Sequence, residues 1–180
     1  MVKNQTATEH FGNMRKTSDF RTNIPSKGPI LFIDMDGVVC DFDSRIEAMI
    51  TAGIPEATAI ASKGLFASLD PIPGALESIH DLEDKYEIYF LSTAPWSNVY
   101  AWTEKREWIG KHFDKRFKRK LILSSNKGLL RGDYLIDDRT ANGVGDFQGE
   151  HIHFGTKSFP DWKTVHDYLI QKHAEKTSSI

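Results

Sequence analysis

Short apolar runs recur along the chain, each ending on polar residues and each separated from the next by a stretch with helical spacing. ILFIDM from Ile30, YEIYFLS from Tyr86, KLILSS from Lys120, DYLID from Asp133 and EHIHF from Glu150 have the length and composition of buried strands. Between them, Leu76, Ile79 and Leu82 mark one helix face over Ala75 to Tyr86 behind the turn PIPG. Trp102, Trp108 and Ile109 mark another over Asn98 to Phe113, and a last helix begins near Pro160 with Trp162, Val165 and Leu169 on its buried side. Alternation of this kind predicts an α/β fold with a mostly parallel sheet covered by helices.

One segment breaks the rhythm. Residues 44–69 lie between the first strand and the first crossover helix, and read as two short helices separated at Gly53 to Pro55. Ile46, Met49 and Ile50 form their apolar face. An insertion there sits above the carboxyl end of the strand, where α/β sheets bind ligands, so it is expected to be a small helical cap; the plainer alternative is a kinked helical crossover. Residues 1–28 are polar, of mixed charge and without periodicity, and are expected to form a poorly ordered leader ahead of one domain over 29–176.

Composition narrows the chemistry. With 180 residues and 39% hydrophobic content the chain supports one well-buried core. A formal charge of −2 gives no general attraction to nucleic acid or membrane, so no stable nucleic-acid partner is expected. The basic run Lys115 to Lys120 reads as a solvated helix end rather than a polyanion site. No stretch reaches the roughly 20 apolar residues needed to span a bilayer, and neither a signal peptide nor a targeting helix is apparent. A single cysteine, Cys40, excludes an internal disulfide and reads as a packed thiol, so the expected location is the cytoplasm.

The strand ends carry the signal. ILFIDMDGVVCDFD sets Asp34, Asp36, Asp41 and Asp43 directly behind an apolar strand. Carboxylates at that density repel one another and resist burial unless a cation offsets them. Ser92 and Thr93 close the second strand, and Asp137 and Asp138 close DYLI. In a parallel sheet these clusters share one edge. A carboxylate can attack phosphorus if a divalent cation screens both partners, and Mg²⁺ suits ligands such as Asp34 with one or both of Asp137 and Asp138. The Thr93 hydroxyl, nearby backbone N–H groups and a lysine suit phosphoryl oxygens.

DMDGVVCDFD, LSTAP, the EK pair in the following helix and LIDDR resemble, in order, the four motifs of the haloacid dehalogenase superfamily, and within it the 5′(3′)-deoxyribonucleotidases. The resemblance extends to PIPGALESIHDL and covers most of Ile30 to Phe154. It implies a Rossmann-like, three-layer α/β/α parallel sheet and a Mg²⁺-dependent phosphomonoesterase working through an aspartyl-phosphate. Asp34 would be the nucleophile and Asp36 the acid and base. Thr93, with Ala94, would hold the phosphate, and Asp137 and Asp138 would complete the metal site with Asp34 and the Asp36 carbonyl. The resemblance favours Lys105, in TEKREW, as the charge-stabilising lysine over Lys127, in SSNKGLL. The insertion is shorter than in members with a defined deoxyribonucleotide preference, leaving Phe42, Phe66 and Trp96 as the aromatics available to stack on a base.

His151 and His153 share one side of a strand and are read as ordinary strand residues, and Arg139 as the partner of a neighbouring aspartate. The expected substrate is a small phosphomonoester, a nucleotide first; a sugar phosphate or a nucleic-acid end is the alternative, and a non-catalytic binding module is disfavoured by the intact D-x-D. A homodimer is compatible with all of these.

Overall fold

The computed structural model describes residues 28–178. The expected leader therefore lies, Gly28 apart, outside the described residues. Five strands form one sheet in the order β3-β2-β1-β4-β5, all parallel: β1 (Ile30–Ile33), β2 (Glu87–Ser92), β3 (Leu121–Leu123), β4 (Tyr134–Asp137) and β5 (Glu150–His153). β1 is central because its residues are apolar on both faces. Successive side chains alternate across the sheet, so Leu31 and Ile33 enter one core and Phe32 the other.

The larger core takes Ile79 and Leu82 from α3 (Ala75–Leu82), Trp108 and Ile109 from α4 (Ala101–His112), and Val165 and Leu169 from α5 (Trp162–Ser178). On the other face, Phe32, Leu91 and Leu135 are covered by Val144 and Phe147, with 3₁₀ turns at Lys127–Leu129 and Val144–Asp146. The third layer is thin there because the connections 124–133 and 138–149 are short and carry Gly128, Gly132, Gly143, Gly145 and Gly149, which disfavour a long helix. In the basic run, Phe117 is buried in the larger core, while Arg116 pairs with Glu83 and Lys120 with Glu87.

Between β1 and α3 lie α1 (Phe42–Thr51), α2 (Glu56–Ile60) and a 3₁₀ turn at Phe66–Ser68. The Asp41 side chain caps α1 by accepting the Ser44 N–H (3.2 Å). The far half of this segment is tied down at several points. Asn98 Nδ2 donates to the carbonyls of Ile60 and Ser62 (2.8 and 3.0 Å), and Trp108 Nε1 donates to that of Leu69 (2.8 Å). The Glu104 carboxylate accepts the N–H groups of Gly64 and Phe66 (2.6 and 3.0 Å). Glu104 is buried, and these two donors meet the polar requirement that its burial creates.

Candidate active site

A parallel sheet points every strand's carboxyl end to one edge, and there the polar clusters meet. The Asp34 N–H donates to the Ile136 carbonyl (2.9 Å), carrying the β1–β4 ladder one residue past the strand. The chain then turns tightly, the Met35 carbonyl accepting N–H groups from Val38, Val39 and Cys40 (3.3, 2.8 and 2.8 Å). Gly37 makes that turn with φ +80°, and a Cβ on it would stand 2.6 Å from Asp138 Oδ2. Only glycine allows both the left-handed backbone and this close approach.

Asp34, Asp137 and Asp138 each present an oxygen within 4.8 Å of the others. Lys127 Nζ lies between two of them, 3.0 Å from Asp34 Oδ1 and 2.5 Å from Asp137 Oδ2, and its side chain is 2% exposed. The Arg139 N–H donates to Asp137 Oδ1 (3.0 Å), and the Arg139 guanidinium approaches Asp138 Oδ2 (3.4 Å) and Asp43 Oδ1 (3.7 Å). Asp138 Oδ1 is buried without a hydrogen-bond partner among the described residues. Burial first, and then the charge on Asp34, push the Asp138 carboxyl up to about 6. Burial also raises the Asp137 carboxyl, with Asp34 adding to the rise and Lys127 opposing it.

The Asp138 shift has a consequence for the metal-free protein. A carboxyl whose folded pKa exceeds its unfolded value contributes stability in full at low pH and loses it as pH rises through the folded value. The metal-free protein is expected to lose on the order of 1–2 kcal/mol on this account between about pH 4 and 7. Asp138→Asn should remove most of that slope and raise the Tm at pH 7.5. Thermal melts in chelator across this range check it; a slope identical in the variant and the parent is the contrary result.

Asp36 stands apart from this cluster. Its Oδ2 meets Lys105 Nζ at 2.5 Å, and its Oδ1 is buried without a hydrogen-bond partner among the described residues. Burial raises its carboxyl, Lys105 opposing and Asp34 reinforcing the rise. A cavity of about 760 Å³ opens over the edge, with Asp34, Asp36, Thr93, Lys127 and Asp137 at its floor. Ile46, Glu47 and Ile50 of α1, with Glu56 and Ile60 of α2, form a wall.

A family model described as 5′ nucleotidase, deoxy (Pyrimidine), cytosolic type C protein matches residues 58–171. That span includes Thr93, Lys105, Lys127, Asp137 and Asp138, while Asp34 and Asp36 precede it. The chain is 44% identical over 149 residues to a putative 5′(3′)-deoxyribonucleotidase of Vibrio phage KVP40, covering 80% of this chain and 86% of that protein. It is 27% identical over 157 residues to the cytosolic-type 5′(3′)-deoxyribonucleotidase of Homo sapiens (69% of this chain, 78% of that protein). To the mitochondrial 5′(3′)-deoxyribonucleotidase of Mus musculus it is 26% identical over 187 residues (84% and 80%). The chain belongs to this 5′-nucleotidase family. It is thereby a haloacid dehalogenase-like phosphatase that hydrolyses phosphomonoesters.

In this nucleotidase the residues singled out by sequence divide into two groups. Asp34, Asp36, Phe42, Thr93, Lys127 and Asp137 line the cavity, and Asp138 joins them through the carboxylate cluster. Of the two lysines weighed for stabilising the phosphate's charge, Lys127 contacts Asp34 and lines the cavity, whereas Lys105, the one the resemblance favours, is fully buried, pairs with Asp36 and is not part of the lining. Phe66, 1% exposed, packs parallel to Phe42 at 5.9 Å and is not part of the cavity lining. Trp96 is 94% exposed and also outside the lining, and Ala94 packs against the larger core. Of the three aromatics, Phe42 alone borders the cavity.

Two supports escaped the sequence reading. His151 Nε2–H donates to the Asp137 carbonyl and His153 Nε2–H to that of Asp138, each at 3.0 Å, with the rings stacked 5.0 Å apart. Carbonyls only accept, which fixes the proton on Nε2 in both rings. The i, i+2 spacing was visible; that these rings back the aspartate pair follows from the β4–β5 register, where Asp137 pairs with His153.

Proposed function

We propose that this phosphatase hydrolyses deoxyribonucleoside monophosphates through an aspartyl-phosphate on Asp34, at a magnesium-dependent site. The observation that carries the reading is the grouping of Asp34 with Lys127, Asp137 and Asp138 on the floor of one cavity. The names of the relatives support the substrate class.

The residues fit a hard divalent cation. The cluster offers only oxygen donors, one of its buried oxygens has no partner, and its three carboxylates face two cationic side chains. Asp34, Asp137 and Asp138, with the Asp36 carbonyl, would hold Mg²⁺, which would screen the charge between an anionic nucleophile and a phosphate.

An Asp34 oxygen attacks phosphorus and the bond to the nucleoside oxygen breaks. Asp36, whose side chain lines the cavity, gives its proton to that leaving oxygen. In the second half, the Asp36 carboxylate takes a proton from water as the water attacks phosphorus. Phosphate leaves and Asp34 is restored. Lys127 offsets the charge on Asp34 and on the incoming phosphoryl group. The Thr93 hydroxyl donates to the Ser124 carbonyl (3.0 Å) and turns from it to reach a phosphate oxygen.

The cavity falls within the range that encloses a small molecule and has room for a mononucleotide. Its wall mixes isoleucines with Glu47 and Glu56 and has one aromatic at its edge, which supports firm phosphate recognition and loose base recognition. Several deoxynucleoside monophosphates should be hydrolysed, with ribose forms disfavoured by no more than about 10²-fold, since an apolar wall rejects an added hydroxyl weakly. Phosphate release from a nucleotide panel, with Mg²⁺ and after chelation, tests this. Equal kcat/KM on nucleotides and sugar phosphates, or full activity after exhaustive chelation, would contradict it.

A further inference from the structure

We propose that Lys105 is a positioning residue: by binding one Asp36 carboxylate oxygen it fixes how that carboxyl sits at the cavity, and it is itself set by Phe66 of the inserted segment. The inference rests on the acid and base role given to Asp36 above.

Lys105 is 0% exposed. A buried ammonium is tolerable only where its charge and its donors are met. Three groups do so here: Asp36 Oδ2 at 2.5 Å, Ser92 Oγ at 3.1 Å and the ring of Phe66, whose centroid is 4.4 Å away. These come from the loop after β1, the end of β2 and the inserted segment, so the ammonium is held from three directions. One Asp36 oxygen is thereby occupied. The other is the buried, unpartnered oxygen of a residue that lines the cavity. An acid free to rotate would meet the substrate at varying angles, whereas one anchored by Oδ2 keeps a single orientation at the cavity.

Phe66 is held as firmly as the lysine. Its N–H donates to Glu104, the residue just before Lys105 in α4, and its ring packs against Phe42. One turn of α4 therefore fixes the Phe66 backbone through Glu104 and the Asp36 carboxyl through Lys105. The same ties account for a lysine and an aromatic expected at the substrate both being absent from the cavity lining.

The test compares two leaving groups in Lys105→Met, Phe66→Leu and Asp36→Asn. A deoxynucleoside monophosphate releases an alkoxide that needs a proton; p-nitrophenyl phosphate releases a phenolate that needs little help. Lys105→Met should lower kcat/KM on the nucleotide, which reports the phosphorylation half alone, by about 10²-fold, near the lower end of what general acid–base catalysis contributes. On the aryl ester it should lose only a few fold, with inhibition by inorganic phosphate unchanged within about twofold. Phe66→Leu should show the same pattern at about 5- to 10-fold, because it removes the ring face and leaves the ion pair.

Equal losses on both substrates with weakened phosphate inhibition would overturn the proposal and make Lys105 a phosphate-charge ligand. Nucleotide turnover at the parent rate in both variants would overturn it too. Should Lys105→Met fail to fold, Phe66→Leu decides: a nucleotide-to-aryl ratio equal to the parent's rejects the proposal. Asp36→Asn separates the two layers. An equal loss of kcat/KM on both substrates there removes the acid role itself, and the positioning claim falls with it. Leaving-group dependence in Asp36→Asn without any in the other two removes the positioning claim alone.

Discussion

Asp34→Asn is expected to lower kcat on every phosphomonoester by about 10⁴- to 10⁶-fold, the range seen when a covalent nucleophile is removed, while the protein stays folded. The amide oxygen can still accept the Met35 N–H that Asp34 Oδ1 accepts at 2.8 Å, so the turn after β1 keeps its hydrogen bond. What disappears is a negatively charged oxygen beside Lys127 and the cavity. Fewer like charges remain near Asp137 and Asp138, so the metal-free Tm should hold or rise. Phosphate release and a thermal melt on the same preparation check both halves. Activity near that of the parent in a folded variant would contradict the assignment.

Lys127→Met should damage both activity and stability. The lysine is the buried cation between Asp34 and Asp137, and both partners are themselves largely buried. Removing one member of a buried ion pair leaves charge without compensation, typically at about 3–5 kcal/mol. The destabilisation should be largest in chelator at pH 8, smaller at pH 5 where the raised carboxyls are partly protonated, and partly reversed by Mg²⁺. Loss of one preorganised electrostatic group should also lower kcat by roughly 10²- to 10³-fold. Unlike Lys105→Met, this variant should lose activity equally on alkyl and aryl esters and bind inorganic phosphate more weakly. Parental phosphate inhibition would contradict the role given to Lys127.

The sequence reveals most where a residue's role follows from its place on a strand. Leu31, Phe32 and Ile33 are apolar because β1 is covered on both faces, and the aspartates after β1 and β4 share an edge because the sheet is parallel. Direction beyond the strand end is another matter. Lys105 and Lys127 both follow strands that flank the site, and spacing does not say that one reaches Asp36 from α4 while the other reaches Asp34 from a 3₁₀ turn. Phe66 and Trp96 show the same limit: one is drawn under the lysine by the Glu104 hydrogen bonds, the other is turned to solvent, and either pattern is compatible with a stacking aromatic. The thin third layer was hidden because an alternating pattern indicates where a connection lies more readily than whether it folds as helix or as a 3₁₀ turn.

The most direct test of the account is to find the phosphoryl group on the chain. The enzyme would be mixed with a deoxynucleoside monophosphate and Mg²⁺, quenched in acid within one turnover, reduced with borohydride and digested. Mass spectrometry would then locate the reduced acyl phosphate. The prediction is homoserine in place of Asp34, absent when Mg²⁺ is withheld, and enriched in Asp36→Asn given p-nitrophenyl phosphate, whose leaving group needs no acid while breakdown of the intermediate still lacks its base. Turnover with no reduced aspartate in either protein, or reduction at a residue other than Asp34, would contradict it.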